Sequence, residues 1–158
     1  VLRKGADCDC FPEFASYGPE PLSAQFSADY LTQKLKGRKA KIGVLLLDQR
    51  IVAGIGKIYA DEILFRAGVR PGRAAGRLTR TEIARIVEKT KEVLEQAIGD
   101  RGTTAEDSVY IDSYGLPGGF RPSTYQRTGR PCPKCGAPIR RTRLGDGRGM
   151  HWCAECQK

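Results

Sequence analysis

The sequence predicts a mostly α-helical chain that ends in a small metal-binding β-hairpin. Two observations carry this prediction. Between Ser27 and Gly99 apolar residues recur at helical spacing, whereas the segment 121–158 has few apolar residues and two cysteine pairs. A chain of 158 residues can form one compact domain plus a small appended module.

The two cysteine pairs predict a zinc site. Cys132 and Cys135 form one C-x2-C pair, Cys153 and Cys156 form the other, and seventeen residues separate the pairs. This spacing is typical of zinc modules, in which four thiolates surround the metal as a tetrahedron. Four sulfur ligands leave no open position for water or substrate, so the predicted zinc is structural. The alternative is four unrelated thiols in a loop.

The segment around the cysteines is strongly basic. From Arg121 to Lys158, nine Lys or Arg residues stand against Asp146 and Glu155, a net charge of +7 in a chain whose total is +9. Its apolar residues are too few for a core of their own, so metal binding is expected to supply most of its folding energy. Such a module suits a polyanion, and nucleic acid is favoured over a merely solvated surface. The large apolar residues are Ile139, Leu144, Met150 and Trp152.

Composition favours a cytosolic protein. No apolar run approaches the roughly 20 residues of a membrane span, and no signal peptide is recognisable. Four of the six cysteines are assigned to metal, which favours a reducing compartment over a disulfide-bonded fold. Cys8 and Cys10 have no further ligands nearby and are expected to be free thiols. The chain begins at Val1 and its one methionine is Met150, as expected of a fragment or a processed product.

Caps and glycines delimit the first helices. Residues 1–22 lack clear periodicity and are interpreted as an extended lead-in. Ser27 caps a helix that runs to Lys36 and ends at Gly37. The apolar run 42–47 is ambiguous between helix and buried strand, and a buried helix is favoured because the run follows a lysine-rich turn.

A tight turn with two glycines precedes the next helix. Gly54 and Gly56 bracket the turn, and the helix is predicted from about Lys57 to Ala67, ended by Gly68. Backbone N–H groups at such a helix start can hold a phosphate, although a plain turn is the more common explanation of G-x-G. A lysine in the first helical position is mildly unfavourable for the helix, but it becomes useful if a DNA phosphate binds there.

A long helix and a long loop follow. Thr79 and Glu82 form a capping box that opens the helix, and Gly99 closes it. Residues 102–119 are polar and glycine-bearing and are predicted to be a long loop of functional importance. The predicted packing face of the helix comprises Ile83, Ile86, Val87, Leu94, Ala97 and Ile98.

Four polar or aromatic residues receive structural interpretations. Asp61 and Glu62 fall in the first turns of a helix, where the helix dipole favours anions. His151 is assigned to the surface of the hairpin, because four sulfurs already satisfy zinc. Trp152 is expected to cover the metal or to lie where the hairpin meets the helical part, with stacking on a base as the less favoured alternative.

Several stretches of the chain carry a family resemblance. They are GPEPLS at 18–23, LLLDQRIVAGIGKIYADEILFRAG at 45–68, YQRTGRPCPKCG at 125–136 and GRGMHWCAECQ at 147–157. These stretches closely resemble the formamidopyrimidine-DNA glycosylases, the Fpg and Nei enzymes that excise oxidised bases. The resemblance implies a fold that is mostly α, with a helix–two-turn–helix bundle followed by a four-cysteine zinc-finger β-hairpin.

The resemblance also implies domain limits. Residues 1–22 correspond to the remnant of a preceding domain and its linker, residues 23–120 to the helical DNA-binding domain, and residues 121–158 to the zinc finger. A loop at about 103–120 would lie over an extruded base. Because a base must leave the stack before it can be excised, these parts would hold an opened duplex.

Site residues are likewise implied by the resemblance. Arg148 corresponds to an arginine that reaches the phosphates around the lesion and assists δ-elimination. Gly56 and Lys57 correspond to a segment that binds phosphate, and Lys39 to a further basic DNA contact. The implied zinc ligands are Cys132, Cys135, Cys153 and Cys156.

Three departures from the family pattern are visible. Lys57 stands where most members carry asparagine, and a lysine meets a phosphate as a point charge without directed amide hydrogen bonds. Met150 stands where threonine is usual. The family's catalytic proline and the glutamate after it begin an N-terminal β-sandwich that these residues do not contain, so this chain alone is expected to be inactive.

The implied function is DNA binding within base-excision repair. The chain is interpreted as the DNA-binding part of a DNA glycosylase/AP lyase that recognises oxidised purines. Its expected partner is duplex DNA containing damaged bases or abasic sites, and its cofactor is one structural Zn²⁺. It is expected to be a monomer in the bacterial cytoplasm, associated with the nucleoid and not with a membrane. Two alternatives remain: a free-standing damage-binding paralogue without catalysis, and a zinc-ribbon module that recruits proteins.

Overall fold

The structure, a computed structural model, describes residues 16–104, 111, 114–145 and 147–158. Within these ranges it is mostly helical and ends in a two-stranded antiparallel hairpin, which confirms the predicted fold class at this level. Residues 1–15 of the predicted lead-in 1–22, with Cys8 and Cys10, lie outside the described residues, as does part of the predicted loop. The helices are α1 (Ala28–Leu35), α2 (Ile42–Leu45), α3 (Lys57–Ala67) and α4 (Arg80–Gly99), and the strands are β1 (Ile139–Arg143) and β2 (Gly149–Cys153).

The limits of α1 and α2 follow the sequence closely. The Ser27 hydroxyl accepts a hydrogen bond from the Tyr30 N–H at 3.2 Å, and Gly37 after the helix has a φ of 70°. Helix α2 confirms the helical interpretation of the run 42–47, although it ends at Leu45. Its buried residues join those of α1, α3 and α4 in one core.

Two turns connect α2 to α3, and one glutamine fixes them. The Gln49 Oε1 accepts from the Gly54 N–H at 2.7 Å, while its Nε2 donates to the Ile55 carbonyl at 3.3 Å. The Gln49 carbonyl in turn accepts from Gly18 N–H at 2.8 Å. A Cβ on Gly18 would stand 2.5 Å from the Ile51 backbone, so only glycine fits in this contact. The segment at 18–23 therefore positions the turns that precede α3.

The capping box of α4 is present as predicted. The Thr79 hydroxyl accepts from the Glu82 N–H at 3.2 Å, and the Glu82 carboxylate accepts from the Thr79 N–H at 2.8 Å. One part of the predicted packing face is wrong: Ile98 is 67% exposed. The last turn of α4 extends past the core, because Gly99 continues the helix and Asp100 is the C-cap.

Glu82 also accepts hydrogen bonds from the Arg73 guanidinium, one of them at 3.2 Å. These bonds, with those of Thr79, lower the pKa of Glu82 from 4.5 to about 2. A carboxylate with a lowered folded-state pKa stabilises the fold above pH 4.5, and that contribution disappears as the pH falls toward about 2.

We therefore expect the free energy of unfolding to decrease as the pH is lowered from 4.5 to about 2. In the variant Glu82→Gln this pH dependence should be weaker. At pH 7 the variant should be less stable by on the order of 1 kcal/mol, because the ion pair is lost while the cap is kept. Urea denaturation at several pH values measures this. Glu95→Gln, exposed on the same helix, is the control, and equal acid sensitivity of Glu82→Gln and the parent would contradict the assignment.

The hairpin shares its core with the helices. Leu144 and Met150 are 4% and 0% exposed and belong to the same buried cluster as the helices. Ile139, by contrast, packs with Phe65 of α3 and the cysteines. The segment 121–158 has few apolar residues, as its sequence shows. However, these residues are buried against the helical part, so metal binding is not the only source of stability for the hairpin.

Trp152 lies where the hairpin meets the segment after α3, in agreement with one of its predicted positions. Its Nε1–H donates to the Thr142 hydroxyl at 2.9 Å, and the Arg70 guanidinium lies 4.3 Å from its ring centre. The C-terminus is joined to the same segment, because the Arg70 N–H donates to the Lys158 carbonyl at 2.9 Å. The end of α3 and the end of the chain are thus fixed to each other.

Candidate metal centre and nucleic-acid interface

The four cysteines meet as the spacing predicts. Their sulfur atoms all lie within 4.8 Å of one another. The Cys132 and Cys156 sulfurs are 3.8 Å apart, and those of Cys135 and Cys153 are 3.4 Å apart. A tetrahedral ion with Zn–S bonds of about 2.3 Å separates its sulfurs by roughly 3.8 Å. The cluster is therefore suited to a metal ion with four thiolate ligands.

The surroundings of the cysteines support a closed, structural site. Cys132 and Cys153 are buried, and Phe65 of α3 packs against them. The backbone N–H of Lys134 donates to the Cys132 sulfur at 3.4 Å, a contact that favours a thiolate. The Cys153 N–H donates to Gln157 Oε1 at 2.8 Å, which fixes the second cysteine pair.

Helix α3 begins at an exposed glycine, as predicted. Gly56 is the N-cap, makes no side-chain cap, and a Cβ there would have no neighbour within 4 Å. A helix start that is not capped by a side chain and faces open space is the arrangement that binds anions. Gly68 ends the helix in the left-handed conformation, with a φ of 71°.

Lys57, the first residue of α3, is held in place by three groups. Its ammonium lies 3.6 Å from the Asp61 carboxylate, 4.3 Å from the centre of the Tyr125 ring and 3.5 Å from His151 Nδ1. Its side chain is 32% exposed. Lys57 thus presents a fixed positive charge beside Gly56, at the start of the helix.

The prediction that His151 lies on the hairpin surface is wrong. His151 is 6% exposed, and its Nδ1 lies 2.7 Å from Asp61 Oδ2, which also accepts from the His151 backbone N–H at 3.2 Å. Asp61 is fully buried, and its Oδ1 is without a hydrogen-bond partner in the described part of the chain. Burial raises the pKa of Asp61, an effect that His151 and Lys57 oppose. The histidine is buried because the carboxylate on α3 supplies its partner.

Glu62 makes a second connection between α3 and the finger. Its buried carboxylate accepts four hydrogen bonds: from the N–H groups of Ser123 and Thr124 at 2.8 Å each, from the Thr124 hydroxyl at 2.8 Å, and from the Tyr125 N–H at 3.2 Å. Four donors are close to the full capacity of a carboxylate. The dipole interpretation of Asp61 and Glu62 missed these roles. The available signal was two adjacent acidic residues flanked by apolar ones within one helix.

Two further predicted DNA contacts each border a cavity that Val44 of α2 also lines. Lys39 is exposed and borders a cavity of about 400 Å³, with Val44 and Gly145 of the hairpin turn. Arg148 is exposed and borders a cavity of about 500 Å³ that Val44 and Arg50 also line. The structure therefore brings Lys39 and Arg148 into the same region. Lys57 borders neither of these cavities and is connected to the hairpin through His151 in β2.

Of the predicted loop at 103–120, residues 103, 104, 111 and 114–120 fall among the described residues. Thr103 pairs with Gly119, and the Thr103 hydroxyl lies 3.3 Å from the Tyr59 hydroxyl. Residues 105–110, 112 and 113 lie outside the description. No helix among the described residues is long and apolar enough to cross a membrane.

A family model decides the classification. The formamidopyrimidine-DNA glycosylase H2TH domain matches residues 17–108, more than half of the chain. The chain belongs to the formamidopyrimidine-DNA glycosylase family. A formamidopyrimidine-DNA glycosylase of Geotalea uraniireducens is 47% identical over 145 residues, which are 90% of this chain and 52% of the relative. The chain spans about half the length of the curated relatives it matches.

Solved structures of the glycosylase family share the fold. The crystal structure of the MutM (Fpg) protein from Thermus thermophilus matches with a TM-score of 0.88 and 44% identity, over 96% of this chain and 57% of that one. The Lactococcus lactis Fpg in complex with abasic-site DNA matches with a TM-score of 0.83 and 32% identity, over 96% of this chain and 56% of that one.

Proposed function

We propose that this chain is the duplex-binding part of a base-excision-repair DNA glycosylase/AP lyase that acts on oxidised purines. The observation that carries the proposal is the set of hydrogen bonds that attaches α3 to the finger, residues 121–158. Asp61 holds strand β2 and Glu62 holds the segment before the first cysteine pair, so the start of α3 and the hairpin form one basic unit. The similarity to a Fpg that binds abasic-site DNA supports the same partner for this chain.

The proposed ion is Zn²⁺ bound by four thiolates. It would act structurally, by fixing the two cysteine pairs and with them the base of the hairpin. The sulfur spacing and the closed surroundings fit this role. Because four thiolates complete a tetrahedron, no DNA group needs to reach the metal.

The DNA contacts follow from charge and exposure. The backbone at Gly56 and the ammonium of Lys57 would share one phosphate, since a helix start and a held cation favour the same anion. Arg148 and Lys39 would bind phosphates at the two cavities that Val44 lines, and the family resemblance adds a role for Arg148 in δ-elimination. In the domain division proposed here, the helix–two-turn–helix occupies residues 23–120, its loop at about 103–120 lies near the extruded base, and the finger occupies residues 121–158.

Catalysis is proposed for the whole protein and not for these 158 residues. The matched relatives are about twice as long as the shared part. In the complete enzyme an N-terminal proline amine would attack the sugar and a neighbouring glutamate would act as general acid. The contribution of this chain is to hold the duplex while the damaged base is out of the stack.

Arg148→Ala tests the assignment. We expect the variant to bind a duplex with an abasic-site analogue about ten- to a hundredfold more weakly, because a hydrogen bond to a charged group contributes about 1.5–3 kcal/mol. The slope of log affinity against log salt should decrease by about one. Fluorescence anisotropy measures both quantities, and zinc content should stay unchanged.

The matched control is Arg85→Ala, which removes the same charge from an exposed position on α4. It should bind like the parent chain. If Arg148→Ala and Arg85→Ala have the same affinity, Arg148 does not contact DNA.

A further inference from the structure

We propose that the flank of the hairpin carries a further phosphate-binding site, which extends the contact with the duplex backbone beyond the four residues above. This flank pocket is a cavity of about 210 Å³ between the helical part and strand β1. The proposal rests on the proposed function, because its ligand is a phosphodiester of bound DNA. The residues that line the pocket are Lys41, Arg70, Gly72, Arg73, Thr142 and Trp152.

The lining suits an anion. Three cationic residues and no carboxylate line the pocket. Arg73 is already paired with Glu82, whereas neither Lys41 nor Arg70 has an acidic partner in the described part of the chain. Two uncompensated cations in one small cavity repel each other, and an anion between them removes that repulsion.

Arg70 is fixed before any ligand arrives. Its guanidinium lies 4.3 Å from the centre of the Trp152 ring, and its backbone N–H donates to the Lys158 carbonyl at 2.9 Å. The Trp152 Nε1–H donates to the Thr142 hydroxyl at 2.9 Å, which leaves the hydroxyl proton available to a ligand. A guanidinium held in this way loses little conformational entropy on binding.

Lys41 connects the flank pocket to the proposed DNA surface. It also borders the cavity of about 400 Å³ that Lys39 and Gly145 line. Its backbone is fixed by pairing with Ala74 and by the Ile42 N–H, which donates to the Arg73 carbonyl at 2.9 Å. The proposed phosphate contact at Lys39 therefore continues into the flank pocket without an intervening acidic group among the lining residues.

The ligand is a backbone phosphate and not a base. Arg70 covers a face of Trp152, so that face is not available for stacking. A cavity of about 210 Å³ lined by cations and one hydroxyl offers charge and hydrogen bonds to a phosphate. The contact would add affinity without sequence preference.

The test is the double variant Lys41→Gln with Arg70→Gln, compared with Arg85→Gln with Lys91→Gln on α4. Both pairs remove two positive charges. With a duplex that extends past the abasic-site analogue on both sides, we expect the flank variant to bind about tenfold more weakly than the control pair. Its salt slope should decrease by about one, since one phosphate contact is lost. Lys41→Gln alone leaves the contact between Arg70 and Trp152 intact and should show part of the loss of duplex affinity. Lys41→Arg keeps the positive charge and should bind the duplex like the parent chain.

The outcomes separate this proposal from the proposed function. If the parent chain binds no duplex, the proposed function fails. If the parent binds and the flank and control pairs have equal affinity and salt slope, the flank pocket is not a DNA contact. Calorimetry measures the binding of inorganic phosphate to the parent chain and to the flank variant. If the flank variant loses phosphate binding but keeps its DNA affinity, the pocket binds a free anion and the proposal is overturned.

Discussion

Replacing Cys135 by serine is expected to abolish metal binding and unfold the hairpin. Cys135 is exposed, so the change leaves the packing of the core intact and removes only a ligand. A hydroxyl is a poor zinc ligand, and structural zinc sites of this kind contribute apparent binding energies of about 10–16 kcal/mol. Burial of Leu144 and Met150 against the helices cannot compensate for a loss of that size, since each contributes only about 1.5–3 kcal/mol.

The metal content of the purified chain and the fluorescence of its single tryptophan report this change. Trp152 is buried in β2, next to Cys153, and should become exposed to solvent, whereas helical circular dichroism should be largely kept. The control is Cys8→Ser, which changes a cysteine that is not one of the four predicted ligands and should retain one zinc per chain. A Cys135→Ser variant with stoichiometric metal would show that the site is misassigned.

Glu62→Gln is expected to destabilise the chain by about 3 kcal/mol, because breaking a buried, fully hydrogen-bonded carboxylate leaves donors unsatisfied. The glutamine carbonyl can still accept from Thr124 and Tyr125. Its amide NH₂, however, then faces the Ser123 N–H, which now lies 2.8 Å from a carboxylate oxygen. Two donors in contact repel each other, so the segment before the finger loses its attachment to α3.

Urea denaturation of the zinc-loaded chain measures this loss. Glu88→Gln is the matched control, because it neutralises an exposed glutamate on α4. The two variants should differ by more than about 2 kcal/mol in the free energy of unfolding. A loss below about 1 kcal/mol for Glu62→Gln would mean that the carboxylate is not the main attachment of the finger.

Features set by neighbouring residues were predictable from the sequence. The cap at Ser27 and the capping box at Thr79 each involve contacts within three residues, and the start of α3 follows directly on the glycine Gly56. The cysteine pairs belong to the same class, because the C-x2-C spacing places two ligands on one side of a metal. Such local patterns allow the backbone few conformations, so the structure can be predicted from them.

Features set by distant partners were not predictable. Glu62 binds groups 61 to 63 residues away, and Asp61 binds His151 at a separation of 90 residues. Nothing near His151 in the sequence reveals that its partner is a carboxylate on α3. Met150 is a similar case: its long apolar side chain is buried in the helical core, a position that the sequence of the hairpin alone does not indicate.

The salt dependence of duplex binding tests the central claim most directly. The zinc-loaded chain is titrated into a labelled duplex with an abasic-site analogue at several concentrations of sodium chloride. If Gly56, Lys57, Lys39, Arg148 and the flank pocket hold backbone phosphates, log affinity should fall linearly with log salt, with a slope of about −3 to −5. Absence of binding at about 50 mM salt, or an affinity that does not change with salt, would contradict the account.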